Sequence, residues 1–456
     1  MVWNKHLSSK HSKWEGSGAF RSLNRKFTKS GNVQDILVST EANEKTSDSE
    51  YGEKTLKTLD LRHSMWQFDA TDATEMLQGA INTHFPRILV PNYGSPWYVQ
   101  PITLVSNQEI IFEPGVEIMA KAGEFPNGGE SNYLLADCLF KASGVKNLTL
   151  KGYGATFKMT REEYPGSTIR HCLSLLSCEN VRVEGLTIKE SGGDGIFLGF
   201  DAFGDATVCK NINIKDVICD NNWRNNLSIT CGEDIVVENC IFKNAKGTNP
   251  QGGVDIEPGR KWSKINNITL RDCVFEGNFK YGLNVNLGQM ENTSDGVSIL
   301  VVDCKMHDNG RHGILMQNMK NVNPCSWVKF TRCQVKYDHE TYGLFIKNKS
   351  LTDTKVCFQD CNWSLSPLTW TRPAWQGEKT ALVVAAVAPS PTSIGGIDFT
   401  RCKVEDTRSQ AVLKLSELLG ASPKWENITG NIDVVGTTYT VDLPSGVSID
   451  LDVKAI

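Results

Sequence analysis

Short alternations of apolar and polar residues recur along the chain, and each follows a turn residue. In residues 253–257, Val254 and Ile256 alternate with Asp255 and Glu257. Successive side chains of a β-strand point to opposite faces, so this segment is predicted to turn its apolar pair inward and its two acids onto the outer surface. Five other segments share the pattern, at residues 195–199, 226–230, 282–286, 313–317 and 343–347.

A second set of alternating segments accompanies the first, at residues 181–183, 212–214, 235–237, 268–270 and 328–330. Together the two sets give a repeat of about thirty residues, a period typical of solenoids. The repeat therefore predicts an all-β solenoid of stacked coils. Ahead of it, Thr71 and Asp72 precede apolar residues at helical spacing. That spacing predicts a capped helix that begins near Thr71 or Asp72 and covers one end of the core.

The repeat divides the chain into three parts. Residues 1–60 are polar, rich in Lys, Ser and Glu, and lack a period, so we interpret them as an N-terminal extension. Residues 61–421 carry the coils. After about residue 365 the repeat loosens and prolines fall in longer connections, and residues 422–456 are predicted to form a C-terminal cap of strands.

Composition narrows the classes of partner. The net charge of −4 gives no basic surface for nucleic acid or for an anionic membrane, so neither partner is expected. No apolar run approaches the roughly eighteen residues that a membrane span needs. The N-terminus has no hydrophobic signal-peptide core, so we expect an intracellular chain or one whose export signal lies elsewhere.

Two residue types follow the repeat. Six of the fourteen cysteines occupy the same place in successive repeats: Cys240, Cys273, Cys304, Cys333, Cys361 and Cys402. This regularity favours an inward stack of buried thiols over disulfides, and the absence of paired CxxC motifs argues against zinc. Asn222, Asn278 and Asn309 recur at one turn, where we expect left-handed backbone and an amide ladder between coils.

The start of the repeat resembles a known superfamily. The resemblance rests on the helical segment 73–81, on Leu89-Val90-Pro91, on Leu104 to Asn107 and on Glu113 to Val116. These features are similar to the pectin-lyase-like right-handed parallel β-helix superfamily, notably its polygalacturonase-type glycoside hydrolases. The resemblance covers about residues 68–420 and implies a right-handed parallel β-helix with an N-terminal capping helix.

A closer resemblance concerns activity. The polygalacturonase motifs Asn-Thr-Asp, Asp-Asp and Arg-Ile-Lys are absent, so that activity is not implied. Gly193 to Ile196, Gly247 to Pro250 and Gly253 to Pro258 are instead similar to motifs of bacterial β-helix proteins that look like glycoside hydrolase family 141. Members of that family act on fucosides or xylans, so the resemblance implies a hydrolase without fixing the sugar.

Stacking the repeats in register predicts two outward columns, with neighbouring coils about 4.8 Å apart. The first column is Phe197, Ser228, Asp255, Asn284, Leu315 and Phe345. The second is Gly199, Thr230, Glu257, Asn286, Gln317 and Lys347. The turns before these strands add Asp194, Arg224, Asn225, Gln251, Lys280, Tyr281, Arg311, His312 and Tyr342.

This surface combines the groups that sugar recognition and glycosidic cleavage require. We interpret Asp255 as the principal catalytic acid or base, with Asp194 or Glu257 as its partner. Strand spacing leaves both retention and inversion open. Trp223 and Tyr281 could stack on sugar rings, and the remaining predicted substrate-binding residues are Arg224, Asn225, Asn284, Asn286, Lys280, Arg311, His312 and Gln317.

The predicted partner is therefore a polysaccharide or oligosaccharide, either neutral or anionic, and a hydrolase of this kind needs no metal or cofactor. Secretion or a periplasmic location follows from such a substrate. Two alternatives remain. A polysaccharide lyase would use Lys280, Arg311 or His312 as base, with Ca²⁺ held by Asp194, Asp255 and Glu257. A non-catalytic β-helix would bind a glycan unchanged, and His312 also has a purely structural interpretation as a hydrogen-bonded turn residue.

Overall fold

The computed structural model describes residues 57–129, 135–164, 166, 169–201, 208–338, 341–366, 380–408, 410–436 and 439–456. Residues 1–56, most of the predicted N-terminal extension, lie outside the described residues. Among the described residues, no helix has the length and hydropathy required to cross a membrane.

The chain winds into stacked coils, and each regular coil contributes one short strand to each of three faces. Every ladder between coils is parallel. Two of the faces are joined into one sheet, because the long strand Ser393–Glu405 pairs first with the last strands of one face and then with those of the other. The predicted all-β solenoid is confirmed.

The first face begins before the predicted start of the repeat and continues through the predicted C-terminal cap region. Its strands are Thr58–Asp60, Arg87–Val90, Gln108–Phe112, Lys146–Lys151, Glu179–Glu184, Cys209–Lys215, Gly232–Glu238, Ile265–Arg271, Ser298–Val302, Trp327–Thr331, Lys355–Gln359, Ser393–Glu405, Lys424–Val435 and Asp450–Ala455.

The second face follows the first in each coil. Its strands are Trp97–Val99, Glu117–Ala120, Thr156–Lys158, Thr187–Lys189, Ile218–Asp220, Ile241–Lys243, Val274–Glu276, Lys305–His307, Gln334–Tyr337 and Asn362–Leu365. The third face carries the predicted site. Its strands are Ile102–Thr103, Phe140–Ser143, Leu173–Leu176, Ile196–Gly199, Leu227–Ile229, Gly252–Ile256, Tyr281–Asn286, His312–Gln317, Tyr342–Lys347, Leu382–Val387, Gln410–Leu418 and Tyr439–Asp442.

The core is the space enclosed by the three faces, and apolar side chains fill it in stacks. Phe242 and Phe275, from adjacent coils, have ring centroids 5.7 Å apart. Phe358 stacks between Phe330 and Phe399, at 4.9 and 5.2 Å. Identical side chains meet in this way because parallel strands in register place equivalent positions one above the other.

The capping helix is present but begins later than predicted. It spans Thr74–Asn82, and Met76, Leu77 and Ile81 are among the residues that it buries. Ala73 is its N-cap residue and supplies no side-chain cap. Asp72 lies before the helix, and its side chain accepts a hydrogen bond from the Thr74 backbone N–H of the first turn at 3.0 Å. Two short 3₁₀ helices, Leu61–His63 and Arg161–Glu163, complete the helical structure of the described residues.

The asparagine prediction is correct for the ladder and wrong for the backbone. Asn278 donates to Asn309 at 2.9 Å and accepts from Asn226 at 3.0 Å, which links successive coils through buried amides. None of Asn222, Asn278 and Asn309 has a positive φ. A second, exposed ladder at another turn does have left-handed backbone, and Asn147, Asn180 and Asn211 belong to it.

All fourteen cysteines are free thiols, as the repeat predicts, and twelve of them are buried. The stacked thiols donate to backbone carbonyls of the neighbouring coil, as Cys273 does to Val237 at 3.6 Å. Cys325 is exposed and Cys357 partly exposed.

Thiol titration without reductant tests this arrangement. In the native protein we expect Cys325 to react quickly with a disulfide reagent and Cys357 slowly, since burial protects the other twelve. In denaturant all fourteen should react. Cys325→Ser should remove the fast phase alone. A denatured count that falls short by pairs would show disulfides and contradict the thiol stack.

Candidate functional site

The outward side of the third face carries the two columns predicted from the sequence. The strand register places Asp255 beside Ser228 in the preceding coil and beside Asn284 in the next. Asn286, Gln317 and Lys347 align in the second column in the same way. We call the first of these the central column, which consists of Phe197, Ser228, Asp255, Asn284, Leu315 and Phe345.

The predicted exposure of the acids is wrong for two of the three. Asp255 keeps only 2% of its surface accessible and Asp194 none, while Glu257 is partly exposed. The side chains do point away from the coil interior, as the alternation requires, but neighbouring side chains enclose them. The acids therefore form a buried polar cluster with one member that reaches solvent.

Amide side chains hold Asp255 from both neighbouring coils. Its Oδ1 accepts from the Asn284 Nδ2 at 2.7 Å, and its Oδ2 accepts from the Asn225 Nδ2 at 3.2 Å. Asn284 in turn accepts from the Gln317 Nε2 at 3.2 Å. A carboxylate can only accept, so it orients each amide in this chain with the N–H groups pointing toward Asp255.

Glu257 accepts the last hydrogen bond of a second series of amide side chains. Its Oε1 accepts from the Asn286 Nδ2 at 2.7 Å, and Asn286 accepts from the Asn318 Nδ2 at 2.9 Å. Asp255 lies on the strand Gly252–Ile256 and Glu257 directly follows it, and each acid receives hydrogen bonds from a run of amide side chains in the following coils. Asn225, Asn284, Asn286 and Gln317 are all brought together here, as predicted.

Burial raises the pKa of both carboxyls. The pKa of Asp255 lies well above its ordinary value because of desolvation first and the negative charge of Glu257 second. The pKa of Glu257 is raised by desolvation, against which the Arg224 charge and the hydrogen bonds with Asn286 and Asp255 act in the opposite direction. The charge of Glu257 acts on Asp255, so the two carboxyls titrate as an interacting pair.

Asp194 has a different set of contacts from those of Asp255 and Glu257. Its Oδ1 accepts from the Asn225 backbone N–H at 3.0 Å and lies 3.6 Å from the Arg224 Nε. Its Oδ2 lies 3.5 Å from the His171 Nδ1, which itself accepts from the Asp194 backbone N–H at 2.9 Å. Burial lowers the pKa of His171 to about 4, so the imidazole is neutral near pH 7 and Arg224 is the cation that balances Asp194.

The sequence pattern missed His171 and Asn318. His171 stacks on Phe197 with ring centroids 4.5 Å apart, and it occupies the turn position that Asp194 occupies one coil later. Extending the predicted series one strand upstream, to Leu173–Leu176, would have placed it. Asn318 directly follows the strand His312–Gln317, and only its position next to Gln317 of the second column could have identified it from the sequence.

Trp223 does not present an open ring. Its indole N–H donates to the Thr248 Oγ1 at 2.9 Å and to the Gly166 carbonyl at 2.8 Å. The Arg161 guanidinium lies 4.8 Å from the ring centroid, a cation–π contact. A Cβ on Gly247 would lie 2.5 Å from the indole, so this glycine packs directly against it. The predicted sugar platform at Trp223 is therefore occupied by the protein itself.

The remaining predicted residues line the turn before the third face. Tyr281 stacks on His312 at 5.6 Å, and His312 stacks on Tyr342 at 5.2 Å. Burial, and then the charge of Arg311, hold the pKa of His312 well below its usual range, so this imidazole is a neutral member of an aromatic stack. Lys280 and Arg311 lie at the edge of the stack and are partly exposed.

Among the described residues, no three or more His, Cys, Asp or Glu side chains are placed to hold a metal ion together, and this includes Asp194, Asp255 and Glu257. The calcium ligand set of the lyase alternative is thus not assembled by these three acids.

Comparison with known proteins supports the fold. The family model described as "Right handed beta helix region" matches residues 129–299. The SPbeta prophage-derived uncharacterized protein YorA of Bacillus subtilis is 29% identical over 234 residues, which cover 45% of this chain and 38% of the relative. The curated relatives are matched over only 30% to 38% of their own length.

Two solved structures share the fold at low sequence identity. One is the tailspike protein of Escherichia coli bacteriophage HK620, in complex with a hexasaccharide: 14% identity, 85% of this chain, 71% of that chain and a TM-score of 0.57. The other is the A-module of the mannuronan C-5 epimerase AlgE4 from Azotobacter vinelandii: 14% identity, 87% of this chain, 100% of that chain and a TM-score of 0.53. The resemblance to the pectin-lyase-like right-handed parallel β-helix superfamily is confirmed at the level of the fold.

The raised pKa values predict an unusual pH dependence of stability. A carboxyl whose pKa is higher in the folded than in the unfolded chain stabilises the fold below the unfolded pKa, and this contribution is lost as pH rises through the folded pKa. Asp255→Asn cannot ionise. Its melting temperature relative to wild type should therefore rise between pH 5 and pH 8, by about 1–2 °C per pH unit in the titrating range.

Differential scanning calorimetry at four pH values measures this difference. Asp234→Asn is the matched control, since Asp234 is partly exposed and accepts from the Asn267 Nδ2 at 2.8 Å in a ladder on the first face. Its difference from wild type should stay flat. A flat difference for Asp255→Asn as well would mean that burial does not perturb this carboxyl.

Proposed function

We propose that this chain is a glycoside hydrolase that cleaves a polysaccharide with Asp255 and Glu257 as its paired acid and base. The observation that carries the proposal is the pair itself: two adjacent carboxyls, one of them buried, with raised pKa values and with amide donors directed at both. Perturbed, coupled acids of this kind are typical of active sites.

A purely structural role explains the pair less well. Amide ladders already join the coils elsewhere, as Asn278 and Asn309 show, and they carry no desolvation penalty for charge. Placing two acids at successive outward positions of one strand destabilises the fold by comparison. Residues kept at such a cost are typical of functional sites, where the arrangement serves chemistry.

The hydrogen bonds favour different roles for the two acids. Both oxygens of Asp255 accept amide N–H groups, which acts to lower its pKa, but desolvation and the charge of Glu257 raise it more, so Asp255 suits the proton donor to the glycosidic oxygen. Glu257 is partly exposed and the Arg224 charge opposes the rise of its pKa, so it suits the carboxylate that acts as base or nucleophile.

The spacing of the two carboxyls bears on the stereochemical outcome. Glycosidases place them about 5–5.5 Å apart for retention or about 6.5–9.5 Å apart for inversion, and two residues of strand rise separate the Cα atoms of Asp255 and Glu257 by about 6.6 Å. Glu257 is the more accessible of the two, so the proposal has the sugar approach from its side. The anomer released first distinguishes the two stereochemical outcomes.

Arg224 and Asp194 support the pair in this proposal. The Arg224 charge acts to lower the pKa of both Asp255 and Glu257, so it limits how far burial raises them. Asp194 is enclosed and contacts Arg224, which suits a positioning residue better than the catalytic partner expected from the sequence. A secreted or periplasmic location would follow from a polysaccharide substrate.

Asp255→Asn tests the catalytic role. A panel of plant, algal and microbial polysaccharides is first screened with the wild-type chain, and products are resolved by mass and by reducing-end assay. On the substrate found, Asp255→Asn should lose activity by at least about 10³-fold, because the reacting group is removed while its shape remains. Asp234→Asn should keep full activity.

Three outcomes would contradict the proposal. Full activity of Asp255→Asn would remove this residue from the mechanism. Products that absorb in the near ultraviolet, without new saturated reducing ends, would indicate elimination by a lyase. Oligosaccharide retention with no product from any polysaccharide in the panel would indicate a non-catalytic binding protein.

A further inference from the structure

One turn of three successive coils places an amide and two cations in a column beside the acid pair. The Lys280 backbone N–H donates to the Gln251 carbonyl at 3.1 Å, and the Arg311 backbone N–H donates to the Lys280 carbonyl at 2.8 Å. These ladder bonds fix the three residues in adjacent coils, about 4.8 Å apart along the stack. We call Gln251, Lys280 and Arg311 the turn column.

The two cations of the turn column repel each other. Partial burial, and then the charge of Arg311, lower the pKa of Lys280 below its usual value. The Lys280 Nζ donates to the Asn249 side chain, a neutral partner. No carboxylate of the described residues lies within ion-pair distance of Lys280, although Asp255 and Glu257 lie in the preceding coil. The ammonium of Lys280 is thus not neutralised by an acid of the described residues.

Gln251 adds an unsatisfied acceptor to the same column. Its Nε2 donates to the Gly247 carbonyl at 2.7 Å, but its Oε1 is buried and has no hydrogen-bond partner among the described residues. The whole residue is 8% exposed. A buried acceptor without a donor destabilises a fold by about 1–3 kcal/mol unless a ligand or water supplies one. A hydroxyl group would satisfy it.

We infer that the turn column binds an acidic sugar residue of the substrate, with its anionic group between Lys280 and Arg311 and a hydroxyl donating to Gln251. The inference rests on the proposed function and names the substrate class for the same site. Guanidinium and ammonium groups recognise carboxylate and sulfate alike, so either substituent fits. The Tyr281 hydroxyl, 3.4 Å from an Arg311 nitrogen, helps to orient the guanidinium.

Calorimetric titration of the Asp255→Asn chain tests the inference apart from turnover. The probes are an oligomannuronate, a sulfated oligogalactan and neutral xylohexaose. At least one acidic probe should bind about tenfold or more tightly than the neutral one, and added salt should weaken that binding. The probe that binds identifies the substituent as carboxylate or sulfate.

The double variant Lys280→Gln, Arg311→Gln should abolish the preference for the acidic probe. The control double variant Lys305→Gln, Arg182→Gln removes two exposed cations from the other faces and should keep it. Equal or tighter binding of the neutral probe, no binding of either acidic probe, or a preference that survives in the turn-column variant would overturn the inference. Each of these results is independent of whether Asp255→Asn abolishes cleavage.

Discussion

The parallel backbone ladder between coils is the constraint on which the rest of the structure depends. Each strand can satisfy its N–H and C=O groups only through the coils before and after it, so every coil must return the chain to the same three faces. Turns of unequal length absorb the differences in sequence spacing. As a result Ser228, Asp255 and Asn284 become direct neighbours although the chain between them varies in length and composition.

This constraint explains why the fold and the columns were predictable from one sequence. Alternation fixes which side chains point outward, and a glycine or asparagine before each strand fixes the phase, so Asp255 could be aligned with Asn284 without coordinates. The prediction failed where the signal was incomplete. His171 was missed because the predicted series began one coil too late: it precedes the strand Leu173–Leu176, which aligns in register with Ile196–Gly199.

Burial and partner choice could not be predicted in the same way, because they depend on residues outside the repeat. Outward-pointing Asp255 is enclosed, a property set by the neighbouring side chains rather than by alternation. From the sequence, Trp223 is predicted to be an exposed aromatic residue. In the structure Arg161, from two coils earlier, packs against its ring. The start of the helix could not be predicted to the residue for a similar reason. Asp72 accepts a hydrogen bond from the first turn although the N-cap residue is Ala73, and a pattern of residue types does not show which of these two residues is the N-cap.

The central column also separates scaffold from chemistry. Asn284 has nearly the shape of an aspartate and continues the same hydrogen-bond ladder, so the stack accepts either side chain at that position. Asp255 differs from Asn284 in its charge. Burying that charge destabilises one strand of an otherwise repetitive core. Because stability is distributed over many equivalent coils, one coil can carry an unfavourable pair of acids without losing its register. A solenoid of this kind can therefore hold a destabilising pair of acids in one coil while the neighbouring coils keep the geometry.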